Sequence, residues 1–258
     1  MEGRGSKPLV WSGSESSSTV MVAFPFAGGK ADLFRDWHHY FGRVAAVVYR
    51  GRFPDGERDV LLDDAEAVAA ELVVVLEAEL RPLCAAGKRV FFYGHSYGAL
   101  VGYLVAEALQ RVEGVAVEKV FVGGEQAPSR SGSSSDPDYG SMGLEEFSRH
   151  LLARNMLTEK FDREMLPLLA PTKNEFRHDA EFRLEKMRRR PEPLKCPLIA
   201  FYEAEDDSFL TVDDVEPWID FTQQRDAFEC IPVYGPHLFL LEKYNETELV
   251  DMIKERMN

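Results

Sequence analysis

A serine that is to attack a carbonyl must be held clear of its own backbone and beside a base, and one short segment of this chain meets the first requirement. Gly94-His95-Ser96-Tyr97-Gly98 is a G-x-S-x-G sequence set between RVFFY, which reads as a strand, and ALVGYLVAEALQ, which reads as a helix. A strand-to-helix turn of this kind strains the serine backbone and exposes its hydroxyl above a sheet, while the small flanking residues let strand and helix approach. Ser96 is therefore the candidate nucleophile. Without those flanks the same five residues would be no more than a tight Gly-Ser turn.

A serine hydroxyl is a weak nucleophile at neutral pH, so it needs a base, and the base needs a group that fixes its tautomer. Behind a serine on such a turn the partners follow in chain order, acid and then histidine, on loops after later strands. His237 fits the base, because Gly235-Pro236-His237 follows the strand-like AFECIPV. His95 lies inside the turn, His38 and His39 precede the second strand, and His150 and His178 fall where strand-helix alternation is broken. For the acid, the end of PLIAFYE and the segment after it offer Glu203, Glu205, Asp206 and Asp207, with Asp213 and Asp214 soon after. Asp207 is preferred because it stands furthest into the loop before Ser208, with Asp206 as the fallback.

Acyl transfer also asks for two backbone N–H donors aimed at the developing oxyanion. Tyr97, after the nucleophile, supplies one; Ala27 in FPFAGG supplies the other, its neighbouring glycines allowing close approach of the backbone. The GGK run is not a phosphate loop, since the first glycine of G-x-x-x-x-G-K-[ST] is missing and Ala31 replaces the hydroxyl residue. No H-E-x-x-H or C-x-x-C occurs, and the adjacent His38 and His39 would point apart on a regular element, so neither a metal nor another cofactor is expected.

The elements that must position these residues are legible as apolar runs. TVMVAF, VAAVVY, RVFFY, KVFVGG, PLIAFYE and AFECIPV read as buried strands. Between Asp59 and Arg81 apolar residues recur at three- and four-residue intervals, as on one face of a long helix. Repeated strand-helix units imply an α/β fold with a mostly parallel sheet covered on both faces. The alternation breaks from about 129 to 190, an insertion with helical stretches around EEFSRHLLARNML and DREMLPLLA. Within it Phe147, Leu151, Met156, Leu157 and Phe161, together with Phe26 from FPFAGG, are candidates to line a lid over an acyl chain, although such stripes also form ordinary core. Residues 1–18 are rich in Ser, Gly and charge and read as a flexible tail.

At 258 residues and 45% apolar content, the chain has room for one large core and is read as one domain over residues 19–258. A net charge of −14 argues against nucleic acid as a partner, because phosphates are repelled by most of the surface. Cys84, Cys196 and Cys230 lack metal-ligand spacing and read as reduced core thiols. No apolar stretch approaches the roughly 20 residues needed to span a bilayer, and no apolar signal core stands at the N-terminus, so a cytoplasmic monomer is expected. Arg177, Arg183, Lys186 and Arg188 to Arg190 form a basic island that is a solvated helix end or a dock for an acidic protein.

Taken together, these residues resemble the type II thioesterases that accompany polyketide, nonribosomal peptide and fatty acid synthases. The likeness runs from about Val20 to Leu240 and includes FPFAGG with Phe34-Arg35-Asp36-Trp37, Gly51-Arg52, GHSYGALVGY, Gly123-Gly124-Glu125-Gln126-Ala127-Pro128, the spacing from Asp207 to Trp218, and GPHLFL. The family's acid stands at that distance before the tryptophan, which favours Asp207. Tyr97 replaces the methionine usual after the nucleophile, and Phe26 a histidine or tyrosine. The resemblance implies an α/β-hydrolase fold with a helical lid, and hydrolysis of acyl thioesters from the phosphopantetheine arm of an acyl carrier protein or carrier domain. An esterase or lipase on small acyl esters with the same triad is the alternative. A non-catalytic binding protein of this fold has no chemical need for all three of Ser96, Asp207 and His237.

Overall fold

The computed structural model describes residues 8–50, 61–129, 137–153, 156, 166–186, 192–204 and 210–257. Seven strands form one sheet: β1 (Leu9–Gly13), β2 (Thr19–Phe24), β3 (Arg43–Val47), β4 (Arg89–His95), β5 (Lys119–Gly123), β6 (Leu198–Glu203) and β7 (Glu229–Val233). Their order is β1-β3-β2-β4-β5-β6-β7, with β1 antiparallel to β3 and every other pair parallel. The helices are α1 (His38–Phe41), α2 (Ala65–Ala85), α3 (Tyr97–Leu109), α4 (Leu144–Ala153), α5 (Ala170–Lys186), α6 (Val212–Val215) and α7 (Lys243–Arg256). None of them is long and apolar enough to cross a membrane.

Strand side chains alternate between faces, so each buried strand contributes to two cores. On one face Val20, Val22, Phe24, Phe92, Leu198 and Ala200 pack against α2 and α3. On the other, Met21, Ala23, Phe91, Tyr93, Ile199 and Phe201 pack against Trp37, Phe239 and the apolar side of α7. Trp37 and Phe34 are wholly buried, with ring centroids 4.9 Å apart. Each such side chain contributes on the order of 2–3 kcal/mol by leaving water.

Four expectations change. Residues 9–13, read as part of a flexible tail, form edge strand β1, because its backbone completes a ladder with β3 while Leu9 is buried and Arg43 lies 4.4 Å over the Trp11 ring. The long helix starts at Ala65 rather than near Asp59, where the Asp64 side chain accepts from the Ala67 N–H and caps it. In the insertion, α4 covers the predicted EEFSRHLLA stretch, but a second helix, α5, runs through a segment with no apolar stripe. The stretch DDVEPWIDFTQQ, which the sequence reads as a helix, is only the single turn α6 followed by a 3-10 helix over Glu216–Phe221.

Smaller expectations also shift. The His38 and His39 rings do not point apart but lie with centroids 4.0 Å from one another on α1. No group of three metal-ligating side chains occurs among the described residues. Cys84, Cys196 and Cys230 are free thiols, half-buried and packed against the edge of the core. Burial pushes the thiols of Cys196 and Cys230 up to about 11.

Candidate active site

The turn from β4 into α3 is built by two glycines that no other residue could replace without rearrangement. A Cβ on Gly94 would lie 2.2 Å from the Gly98 carbonyl oxygen, and one on Gly98 would lie 2.2 Å from that of Phe24. Strand, turn and the end of β2 are thus packed backbone against backbone. Ser96, between them, has φ 51° and ψ −128° and is the only non-glycine residue with positive φ among those described. Its N–H donates to Gly123 O at 2.7 Å, and its carbonyl accepts from Ala99 at 2.7 Å. The strain is carried by these fixed bonds, and it turns the hydroxyl out at the N-terminus of α3.

His237 arrives on the loop after β7. Its Nε2 lies 3.2 Å from Ser96 Oγ, and its Nδ1 lies 2.5 Å from Oε1 of Glu203. The imidazole therefore bridges a hydroxyl and a carboxylate. Glu203 closes β6 and is 2% exposed; it is among the acidic residues there that the sequence reading passes over in favour of Asp207. Asp207, the preferred acid, and Asp206, the fallback, lie outside the described residues.

A second histidine secures the first. His95 Nε2 donates to the His237 carbonyl oxygen at 2.8 Å, which leaves Nδ1 to accept from the Tyr93 hydroxyl at 3.1 Å. Burial, reinforced by the neighbouring His237, holds His95 down at about 3, so it stays neutral and keeps this donor pattern. The Phe26 ring stands edge-on to His95, with centroids 6.1 Å apart, which puts this predicted pocket residue beside the site.

Helix α5 is tied to the same region by polar groups. Glu175 Oε2 accepts from the Gly28 N–H at 2.8 Å in the loop after β2, and His178 Nδ1 lies 3.2 Å from the Tyr97 hydroxyl. Deeper in, Arg183 donates to Glu125 at 2.9 Å and to Asp179 at 2.5 Å. Burial and the Asp179 carboxylate push the Glu125 carboxyl up, against the pull of Arg183. The Glu125 carbonyl accepts from Trp218 Nε1 at 2.9 Å, so the GGEQAP segment joins the end of β5 to both α5 and the Trp218 turn.

The remaining candidates divide. Phe147 and Leu151 are buried in a small core with Tyr139 and Leu169, against which Met156 packs, and this core joins α4 to α5. Leu157 and Phe161 lie outside the described residues. The basic island is not one surface patch: Arg183 is buried in its ion pairs, and Arg177 donates to Glu181, Asn174 and the Asp63 carbonyl. Arg188, Arg189 and Arg190 lie outside the described residues.

A strained serine at a strand-to-helix turn, hydrogen-bonded to a histidine that is itself bonded to a carboxylate, on a mostly parallel sheet covered by helices, defines a serine hydrolase of the α/β-hydrolase fold. The thioesterase domain family matches residues 19–257, and the chain belongs to it. It is similar to the gramicidin S biosynthesis protein GrsT of Aneurinibacillus migulanus, at 28% identity over 236 residues, 89% of this chain and 86% of that one. It is also similar to the medium-chain S-acyl fatty acid synthase thioesterase of Rattus norvegicus, at 25% identity, covering 90% and 86%. Among solved structures, the RedJ thioesterase from the prodiginine biosynthetic pathway of Streptomyces coelicolor superposes with a TM-score of 0.74 at 24% identity, covering 93% and 86%, and shares the fold. The protein is a serine hydrolase that cleaves acyl thioesters.

Proposed function

We propose that this protein releases acyl chains from the phosphopantetheine arm of a carrier protein or carrier domain, with Ser96 as nucleophile and His237 as base. The observation that carries the reading is the 3.2 Å approach of His237 Nε2 to the hydroxyl of a serine held at positive φ. Ser96 Oγ attacks the thioester carbon as its proton passes to Nε2. The C–S bond then breaks, and the imidazolium returns that proton to the departing thiolate. Water, deprotonated by the same ring, opens the acyl-enzyme and frees the acid.

The Ala27 and Tyr97 N–H groups are the oxyanion donors in this reading. In the loop after β2 the neighbouring N–H groups of Gly28 and Gly29 are already engaged by Glu175 and by the Phe26 carbonyl, which points to Ala27 as the donor there. Tyr97 is the first residue of α3, where unpaired N–H groups and the helix dipole favour developing negative charge. Only backbone is required at Tyr97, so a side chain different from the usual methionine leaves the chemistry intact. The carrier-bound substrate is supported by the likeness to a gramicidin S biosynthesis protein and to an S-acyl fatty acid synthase thioesterase.

A fluorophosphonate probe should label the protein at Ser96, and Ser96→Ala should lose both labelling and turnover while keeping its melting temperature. Continued labelling of the alanine variant refutes the assignment of the nucleophile. Acyl-phosphopantetheine thioesters should be cleaved faster than oxyesters of the same chain length; the reverse preference would favour an esterase.

A further inference from the structure

We infer that helix α5 sets the spacing of the two oxyanion donors, with Glu175 holding the loop of Ala27 and His178 holding the ring of Tyr97. The inference rests on the Ser96–His237 reading and on the donors proposed with it, and it deepens both.

An oxyanion hole stabilises charge only if its donors already stand where that charge develops, so donors on two separate segments must be fixed to a common support. Ala27 lies on the loop after β2, and Tyr97 begins α3. Helix α5 reaches both. Thr172, Glu175 and His178 stand three residues apart, so they follow one another along one side of the helix, and all three are buried. Glu175 Oε2 accepts from the N–H of Gly28, the residue after Ala27, at 2.8 Å. Gly28 has φ 87°, and a Cβ there would meet Thr172 Oγ1 at 3.1 Å and its Cγ2 at 3.2 Å, so the loop backbone lies directly against the helix. One turn on, His178 Nδ1 meets the Tyr97 hydroxyl at 3.2 Å.

His178 is oriented for that contact. Arg177 donates to Asn174 Oδ1 at 2.9 Å, which turns the Asn174 amide nitrogen toward the Leu62 carbonyl, 3.1 Å away, and toward His178 Nε2, 2.9 Å away. Nε2 therefore accepts, and Nδ1 carries the proton that it donates to the Tyr97 oxygen. Glu175 and His178 are positioning residues in this role, since each acts through a segment that bears a donor.

The test uses the full chain and its Glu175→Leu, Glu175→Gln and Tyr97→Phe variants, with an acyl thioester of a phosphopantetheine analogue as substrate. A trifluoromethyl ketone, whose adduct with a serine places an oxyanion in the hole, serves as the second probe. Glu175→Leu fills the same space without an acceptor. It is expected to lower kcat by about 10- to 100-fold, short of the roughly 10²- to 10³-fold cost of removing a donor outright. KM should change by less than about threefold, and the inhibition constant of the ketone should rise by the factor by which kcat/KM falls. Glu175→Gln still offers an oxygen to the Gly28 N–H and should keep kcat within about threefold of wild type, a rescue that a packing role would not distinguish from leucine. Tyr97→Phe keeps the backbone donor and loses only the bond to His178; it should lower kcat by about 3- to 10-fold, again matched by the ketone.

Wild-type kcat in Glu175→Leu or in Tyr97→Phe overturns the inference, as does a glutamine variant as slow as the leucine variant, or a lost kcat with unchanged ketone affinity. Should the leucine variant not fold, Tyr97→Phe decides alone. Ser96→Ala run alongside separates the two levels. An active alanine variant removes the serine reading itself, whereas an inactive one beside a fully active Glu175→Leu removes only the part given to α5.

Discussion

Gly98→Ala tests whether the turn and the loop after β2 act as one rigid unit. The added methyl would sit 2.2 Å from the Phe24 carbonyl oxygen and 2.5 Å from that of Pro25. Both obstacles are backbone, so no side-chain rotation relieves the contact. To restore an ordinary 3.4 Å separation, α3 and the end of β2 must part by roughly 1.2 Å. Ser96 is at one side of that gap and Ala27, three residues past Phe24, is at the other. The displacement therefore falls between the proposed nucleophile and the proposed oxyanion donor, where an error of about 1 Å costs on the order of 10²-fold in rate. In transition-state terms that is about 2.7 kcal/mol. Overpacking should also reduce stability by about 1–3 kcal/mol. The assay is kcat/KM on an acyl thioester together with the rate of fluorophosphonate labelling, alongside urea unfolding. Activity within threefold of wild type in a folded variant would show that the close approach has no part in catalysis.

Two further outcomes concern stability. Burial lowers His178 to about 4 and His95 to about 3, both from an ordinary 6.5, so each is neutral in the native state while the unfolded chain takes up a proton first. Stability is thus full above pH 6.5 and falls as the pH drops from there toward 4; at pH 5 each histidine should cost about 2 kcal/mol relative to pH 7. Urea unfolding at the two pH values should show His178→Gln losing about 2 kcal/mol less than wild type, and equal losses would contradict this account. Arg183→Ala leaves Glu125 and Asp179 buried without their shared cation and should destabilise by about 3–5 kcal/mol in urea unfolding, where a change below 1 kcal/mol would show the pair to be solvated.

How far these features could be read from the sequence depended on what each element buries. The central strands and the G-x-S-x-G turn announce themselves, since TVMVAF and RVFFY are apolar on both faces and the turn needs its glycines. Helix α5 did not, because its inward side carries Glu175, His178 and Arg183 in place of an apolar stripe. Strand β1 was missed for a related reason: of its five residues only Leu9 is buried, and its place is set by backbone pairing. Among the acidic residues after β6, loop position and the family spacing to Trp218 favour Asp207, which lies outside the described residues. The contact of Glu203 with His237 was legible only through strand period, because Glu203 continues the Ile199 and Phe201 face, and a charge ending an apolar row calls for a partner.

The link from His95 to the His237 carbonyl has a mechanical consequence. The residue immediately before the proposed nucleophile grips the main chain of the proposed base, so hydroxyl and imidazole ride on a single tether one hydrogen bond long. Tyr234 and Leu241, exposed on the same loop region, take no part in that bond. The alignment of Ser96 with His237 is thereby set by buried main chain and not by the exposed side chains around them.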